Sequence, residues 1–311
     1  MMHTKNNQPT MSVSICGIPF QNPIIAASGT VGFCNDFGNL VDFSKIGGVS
    51  LKGLTLEKRQ GNDGIRIAET ASGIINSVGL QNPGIKDFIL DYVPRLREQK
   101  SKKLNTVLIA NIAGNTENDY LEITDYLDEI DIIDMIELNI SCPNVKQGGI
   151  AFGIHPQTVE RITSLVRRFC QKSLIVKLSP NVSSITDNAK AAENGGADCI
   201  SLINTVNGLA VDLNSRNILV KGGLSGAAIK PIGLRQTYEV AQVTQLPIIG
   251  MGGIQTATDA LEYIAVGATA VQVGTAIFNT PSVLTTIVQD MQQWLQKNNL
   301  QDINLLRKTI A

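Results

Sequence analysis

Six polar residues stand at the ends of short apolar runs: Ser28, Lys52, Asn111, Asn139, Lys177 and Asn204. Asn and Lys are poor strand formers, and a buried polar group without a partner costs about 1–3 kcal/mol. Their repeated placement points to a buried polar ligand. A core hydrogen bond or a strand-end cap would account for any one of them alone. Two glycine-bearing ends follow, Gly252-Gly253 and Gly274-Thr275. Their N–H groups, with a helix start behind them, could cradle a phosphate; a tight turn is the plainer alternative. Cys142 lies in Asn139-Ile140-Ser141-Cys142-Pro143-Asn144, ahead of Gly148-Gly149. A free thiol has a pKa of about 8.5, so it could act as a base once a substrate excludes water. The Gly pair would let the segment move as a lid. Burial as an inert thiol is the commoner fate of Cys, and it suits Cys16, Cys170 and Cys199 better.

These residues need elements that bring them together. Eight short runs recur, each followed by a stretch of helical period: 23–29, 48–53, 107–111, 135–139, 174–179, 199–204, 247–253 and 270–275. Near-continuous apolar runs suit parallel strands covered on both sides. Helical stretches are expected from Thr116 to Ile130, behind a Thr N-cap, and from Pro156 to Cys170, with Val159, Ile162, Leu165 and Val166 on one face. Two more run from Thr256 to Val266 and from Pro281 to Leu295. Eight such units without a long linker predict an α/β fold, a (β/α)8 barrel, over two Rossmann halves. Residues 1–12 read as a polar, disordered leader and 13–311 as one barrel domain. Two connections, Leu54 to Asp87 and Thr205 to Lys230, are too long for simple loops and leave the C-terminal strand ends. They are expected to cover a ligand, with passive decoration as the alternative.

Composition removes several classes. Of the 311 residues, 26 are Lys or Arg and 27 Asp or Glu, a net charge of −1 that gives no pull toward nucleic acid or an anionic membrane. Two His make a multi-His metal site untenable, and five Cys without a C-x-x-C pair argue against a disulfide framework, zinc or an iron–sulfur centre in this chain. No metal is expected. Gly250-Met251-Gly252-Gly253-Ile254-Gln255 approaches a dinucleotide fingerprint but closes on Gln, and there is no Walker A motif. No apolar run reaches the ~20 residues of a membrane span, and the opening MMHTKNNQPT lacks the apolar stretch of a signal peptide. Met11 is an alternative start. A cytoplasmic protein with reduced thiols is expected.

Five motifs together resemble the dihydroorotate dehydrogenase family. They are Asn76-Ser77-Val78-Gly79-Leu80-Gln81-Asn82-Pro83-Gly84, Asn139 to Asn144, Val176-Lys177-Leu178-Ser179-Pro180-Asn181, Asn204-Thr205-Val206-Asn207-Gly208 and Gly222-Gly223-Leu224-Ser225-Gly226. The likeness runs from about Val13 to Phe278. It implies oxidation of (S)-dihydroorotate to orotate, a step of de novo pyrimidine synthesis, with FMN on a (β/α)8 barrel. A Cys at position 142 is similar to the class 1 enzymes; class 2 carries Ser there and a membrane-associating extension. The run Val145-Lys146-Gln147-Gly148-Gly149-Ile150-Ala151-Phe152-Gly153 resembles class 1B, whereas class 1A usually carries a Pro-rich version. Class 1B implies a homodimer joined to two partner subunits that hold FAD and a [2Fe–2S] cluster and pass electrons to NAD.

The resemblance also assigns roles. Cys142 would take the C5 proton while hydride passes from C6 to flavin N5. Lys177 would stabilise the reduced ring. Lys52 would meet the substrate carboxylate and the flavin edge. Asn76, Asn139, Asn144, Asn204 and Thr205 would bind the pyrimidine, with Ser77, Val78, Gly79 and Leu80 lending backbone groups. Ser28, Gly53, Asn111, Asn139, Ile203 and Gly226 match other FMN contacts, and Gly252, Gly253, Gly274 and Thr275 its phosphate. Rival readings are a class 1A enzyme reducing fumarate, the pyrimidine-reducing subunit of a dihydropyrimidine dehydrogenase, and an idle flavin-binding scaffold. No Cys follows Cys199, against the Cys-rich extension usual in the second, and Cys142 with Lys177 argues against the third.

Overall fold

Strands that are apolar on both faces need cover on both, and here a closed barrel inside a ring of helices supplies it. In the computed structural model, which describes residues 8–34, 40–101, 105–140 and 152–310, all eight expected runs form barrel strands. They are Ile24–Ala26, Gly48–Ser50, Val107–Ile112, Met135–Asn139, Ser173–Lys177, Cys199–Leu202, Ile248–Met251 and Ala270–Val273. Each pairs in parallel with its sequence neighbour, and the eighth closes on the first. Every barrel-strand residue except Ser173 is buried. The family of folds is therefore the expected (β/α)8 barrel.

The helices begin where local chemistry starts them. Thr116 accepts from Asp119 N and Asp119 answers with its carboxylate, a capping box that opens Glu117–Asp128. Thr256 and Asp259 repeat the device for Ala257–Ala265. Pro156 opens Pro156–Phe169, which buries Val159, Ile162 and Val166. The last long helix, Val283–Lys297, starts two residues later than expected and buries Leu284, Ile287, Met291 and Leu295. None of the described helices is long and apolar enough to cross a membrane.

The N-terminal ends of the strands are covered by a hairpin, Val13–Ile15 with Ile18–Phe20. Cys16 Sγ donates to Asp198 O at 3.3 Å, just before the sixth barrel strand. The expected disordered leader needs correction over its last residues. Thr10 N donates to Gln301 O at 2.8 Å, Ile303 N donates to Thr10 O at 3.0 Å, and Met11 is buried in the core. Apolar Met11 and these two ladder bonds offset the cost of ordering the chain there.

At the opposite end the two long connections meet. They build one four-stranded antiparallel sheet in the order Val206–Asp212, Asn217–Ser225, Gly73–Asn76, Ile67–Thr70. Gly223 pairs with Asn76 and Ser225 with Ile74. Its own small core is Ala68, Ile75 and Val220, while Leu209, Val211 and Ile218 remain exposed.

Candidate active site

Parallel register aligns the polar positions of neighbouring strands. Asn111 lies opposite Glu137, Asn139 opposite Lys177, and Lys177 opposite Ser201. Glu137 is wholly buried on the fourth barrel strand. Its Oε2 accepts from Ser50 Oγ at 2.8 Å and Asn111 Nδ2 at 2.6 Å, and its Oε1 from Ser201 Oγ and Gln272 Nε2, both at 2.8 Å. Lys177 Nζ stands 3.9 Å from Oε2, with 7% of its side chain exposed. Burial pushes the Glu137 carboxyl up, but the Lys177 ammonium and the hydrogen bonds from Asn111, Ser201 and Ser50 outweigh it and hold it below its usual value.

Above this cluster lie the strand-end residues. Asn111, 1% exposed, turns its Oδ1 to Asn139 Nδ2 at 3.4 Å, and the Asn139 carbonyl accepts from Tyr120 Oη at 3.0 Å. Ser28 Oγ donates to Leu51 O at 2.7 Å, tying the first strand end to the second. A Cβ on Gly53 would stand 3.0 Å from Asn111 Oδ1, so only a bare backbone passes there without displacing the amide. Lys52 lies beside Gly29, whose ideal Cβ would be 3.7 Å from Nζ. A cleft of about 500 Å³ opens beside it, bounded by Phe33, Lys58, Arg59, Tyr92 and Phe278.

The Gly252-Gly253 end folds as a turn that other side chains would strain. Gly252 and Gly253 have φ of +126° and +69°, a region L-residues avoid. Tyr263 Oη donates to Gly252 O at 2.8 Å from the helix behind. Ile203 N donates to Met251 O at 3.1 Å, fixing the sixth strand end beside this turn. Thr275 Oγ1 donates to Ser225 Oγ at 2.9 Å, joining the eighth strand end to the covering sheet. Gly274, between Ala27 and Thr30, and Gly226, with φ of +100°, complete this side.

Of the expected pyrimidine-binding residues, Asn76 lies on the covering sheet, and Ser77 to Leu80, Asn204 and Thr205 lie in the connections that run out of or into it. Asn76 Nδ2 donates to Gly223 O at 3.3 Å. The turn after it is held by Asn62, whose Nδ2 donates to Ser77 Oγ at 2.9 Å and whose N donates to Val78 O at 3.0 Å. Gly79 and Leu80 adopt φ of +78° and +55°. Asn82 locks the next step, accepting from Thr55 N and Gly84 N. Asn204 Oδ1 accepts from Thr205 N at 2.8 Å. Asn181 donates to Thr205 O at 2.9 Å and accepts from Asn207 N at 2.9 Å.

Among the expected site residues, Cys142 and Asn144 lie outside the described residues. The remaining ones occupy barrel-strand ends, the sheet above them, or the turn at 77–80 that leaves that sheet. Sequence reasoning missed Glu137, Ser50, Ser201 and Gln272 at the barrel centre, and Asn62, Asn181 and Tyr263 as supports. Glu137 had a readable signal: a carboxylate inside an otherwise apolar strand. Burial pushes the Cys170 thiol up to about 11 and the Cys199 thiol well above its usual value, as suits inert groups.

Known proteins share this frame. A family model described as dihydroorotate dehydrogenase matches residues 10–295. The dihydroorotate dehydrogenase B (NAD(+)), catalytic subunit, of Petrotoga mobilis is 48% identical over 301 residues, 96% of this chain and 98% of that protein. The same-named subunit of Geotalea uraniireducens is 47% identical over 302 residues, 96% and 97% of the two chains. A crystal structure of DHODH with ferulenol from Eimeria tenella superposes with a TM-score of 0.79 at 22% identity, covering 99% of this chain and 90% of that one, and shares the fold. With a family match across nearly the whole barrel and curated relatives near half identity, the chain belongs to the dihydroorotate dehydrogenase family.

Proposed function

We propose that this chain is the FMN-holding catalytic subunit of a class 1B dihydroorotate dehydrogenase, oxidising (S)-dihydroorotate to orotate in pyrimidine synthesis. The observation that carries the reading is one ammonium, Lys177, and two carboxamides, Asn111 and Asn139, in neighbouring register at the barrel end, beneath a sheet bearing Asn76 and beside Asn204 and Thr205, which lead from the sixth barrel strand into that sheet. The donor set fits a phosphorylated flavin. Lys177 offers positive charge, Asn111 and Asn139 offer amides, and the Gly252-Gly253 turn has the bare backbone that a phosphate needs. FMN, when bound, supplies the two-electron acceptor.

The chain's own residues do the rest. Asn76, Asn139, Asn144, Asn204 and Thr205 offer amide and hydroxyl groups that match the donors and acceptors of the pyrimidine ring. Lys52 meets the carboxylate. Ser77, Val78, Gly79 and Leu80 present backbone groups from a turn that Asn62 and Asn82 hold still. Cys142 removes the C5 proton. Ser28, Gly53, Ile203, Gly226, Gly274 and Thr275 complete the flavin side. The names of the relatives, NAD(+)-linked catalytic subunits, support a partner subunit that bears FAD and a [2Fe–2S] cluster and returns two electrons to NAD. A homodimer carrying two such partners in the cytoplasm completes the reading.

Anaerobic addition of dihydroorotate to the FMN-loaded chain should bleach the flavin spectrum with formation of one orotate per flavin. NAD should restore the colour only in the presence of the partner subunit. An unbleached flavin would refute the substrate; rapid recolouring of the isolated chain by fumarate would place it in class 1A.

A further inference from the structure

Glu137 has been given no role so far, although Asn111 and Lys177 reach down to it, and the cluster around it is odd for a barrel centre. Barrel interiors are filled by Val, Ile and Leu. Here strands two, three, six and eight each send one donor to a single carboxylate on strand four. An ion pair buried for stability alone is a poor investment, since apolar packing of equal volume does as well or better. The cluster also has a direction. Oε1 faces two neutral donors, whereas Oε2 faces Ser50, Asn111 and, at 3.9 Å, Lys177.

From this asymmetry we infer that Glu137 is a positioning and charge-setting residue for the flavin site, acting through Lys177 and Asn111. The inference rests on the flavin reading given above. A carboxylate only accepts, so it fixes Asn111 with its NH2 downward and its Oδ1 upward, where Asn139 meets it. It also anchors the Lys177 ammonium at the barrel floor and cancels part of its charge. Reduced flavin is anionic, so Lys177 favours it and the Glu137 charge opposes it. Glu137 therefore keeps the flavin from being trapped in its reduced form, which a subunit that must pass electrons onward requires.

The variant E137Q removes the charge at nearly constant shape. Its amide oxygen can still accept from Ser50 and Asn111. Its NH2 then meets Ser201 and Gln272, and Gln272 can turn over because its Oε1 is buried with no hydrogen-bond partner to lose among the described residues. The flavin midpoint potential should be measured by dye equilibration with a chemical reductant on holoprotein, alongside titration of oxidised FMN. E137Q should bind oxidised FMN within about threefold of wild type, yet hold reduced FMN about tenfold tighter or more, a shift to more positive potential. The swap E137Q/Q272E keeps one carboxylate in the cluster on the side away from Lys177, and should fall between the two. A potential in E137Q that is unchanged or more negative would overturn the inference, as would a swap indistinguishable from wild type. Failure of both variants to fold would assign Glu137 to the scaffold and overturn it equally. None of these readings needs dihydroorotate, so a chain that ignores that substrate but shows the positive shift would lose the proposed substrate and keep this inference. A wild-type chain that binds no FMN would sink both.

Discussion

Replacing Gly253 by Ala tests the turn proposed to hold the phosphate. Gly253 has φ of +69°, and its ideal Cβ would lie 2.6 Å from Lys230 N, 2.7 Å from Lys230 Cβ and 2.8 Å from Lys230 Cα. The left-handed backbone costs an L-residue about 1–2 kcal/mol. Relief of the contact requires the start of helix Lys230–Ala241 to retreat by several tenths of an ångström, and overpacking of this kind adds about 1–3 kcal/mol. Gly64 gives an internal control: its φ is +74°, and nothing lies within 4 Å of its Cβ. G64A should therefore lose about 1–2 kcal/mol of stability and leave flavin affinity alone. G253A should lose about 2–5 kcal/mol in all and weaken FMN binding about tenfold or more, because in the proposed site the displaced turn is the one that offers backbone N–H groups to the phosphate. Thermal unfolding of the apoproteins and fluorescence titration with FMN read both quantities. If G253A bound FMN as G64A does, the turn would have no part in holding the phosphate.

Three further outcomes follow from named contacts. C142S should keep FMN and its spectrum while slowing flavin reduction by dihydroorotate about 10²- to 10⁴-fold, read by anaerobic stopped flow; a wild-type rate would remove Cys142 from proton transfer. Y263F deletes the donor to Gly252 O and should cost about 0.5–1.5 kcal/mol in stability with a smaller loss of FMN affinity; an unaltered melting curve would contradict this. Glu137, held below its usual value in the folded chain, binds fewer protons folded than unfolded. Its contribution is thus complete above the ordinary Glu value of about 4.3 and is lost as pH falls through the lower folded value. Acid unfolding curves should therefore be shallower in E137Q than in wild type, and identical acid limbs would refute that linkage.

The barrel was legible because each strand must be apolar on both faces, so 107–111 or 199–204 read as strands without any partner in view. Thr116 and Thr256 announced their helices through local capping chemistry. The strand-end polar residues were legible for the opposite reason, since Asn111 and Lys177 interrupt runs that packing alone would fill with Val or Ile. The covering sheet was not legible. Its two hairpins meet only through the distant pair Gly73–Asn76 and Asn217–Ser225, and Leu209, Val211 and Ile218 are exposed, so apolar residues do not mark a buried face. Glu137 was not legible as the centre of a cluster because its four hydrogen-bond donors arrive from four other strands, and Lys177 from a fifth. Residues 10–11 misled by polarity: the leader around them is hydrophilic, but Met11 enters the core.

Asn76 donates to the carbonyl of a residue 147 positions further along the chain. The turn at 77–80 is held locally by Asn62 and Asn82, but the strand before it, Gly73–Asn76, gains its second neighbour only once the hairpin after the sixth barrel strand exists. During synthesis, the early half of the covering sheet must wait, incompletely paired, for about seven-tenths of the polypeptide to leave the ribosome. The cover over the barrel mouth is thus completed late. A truncated chain with most of its barrel present would still lack the sheet that the proposed substrate site requires.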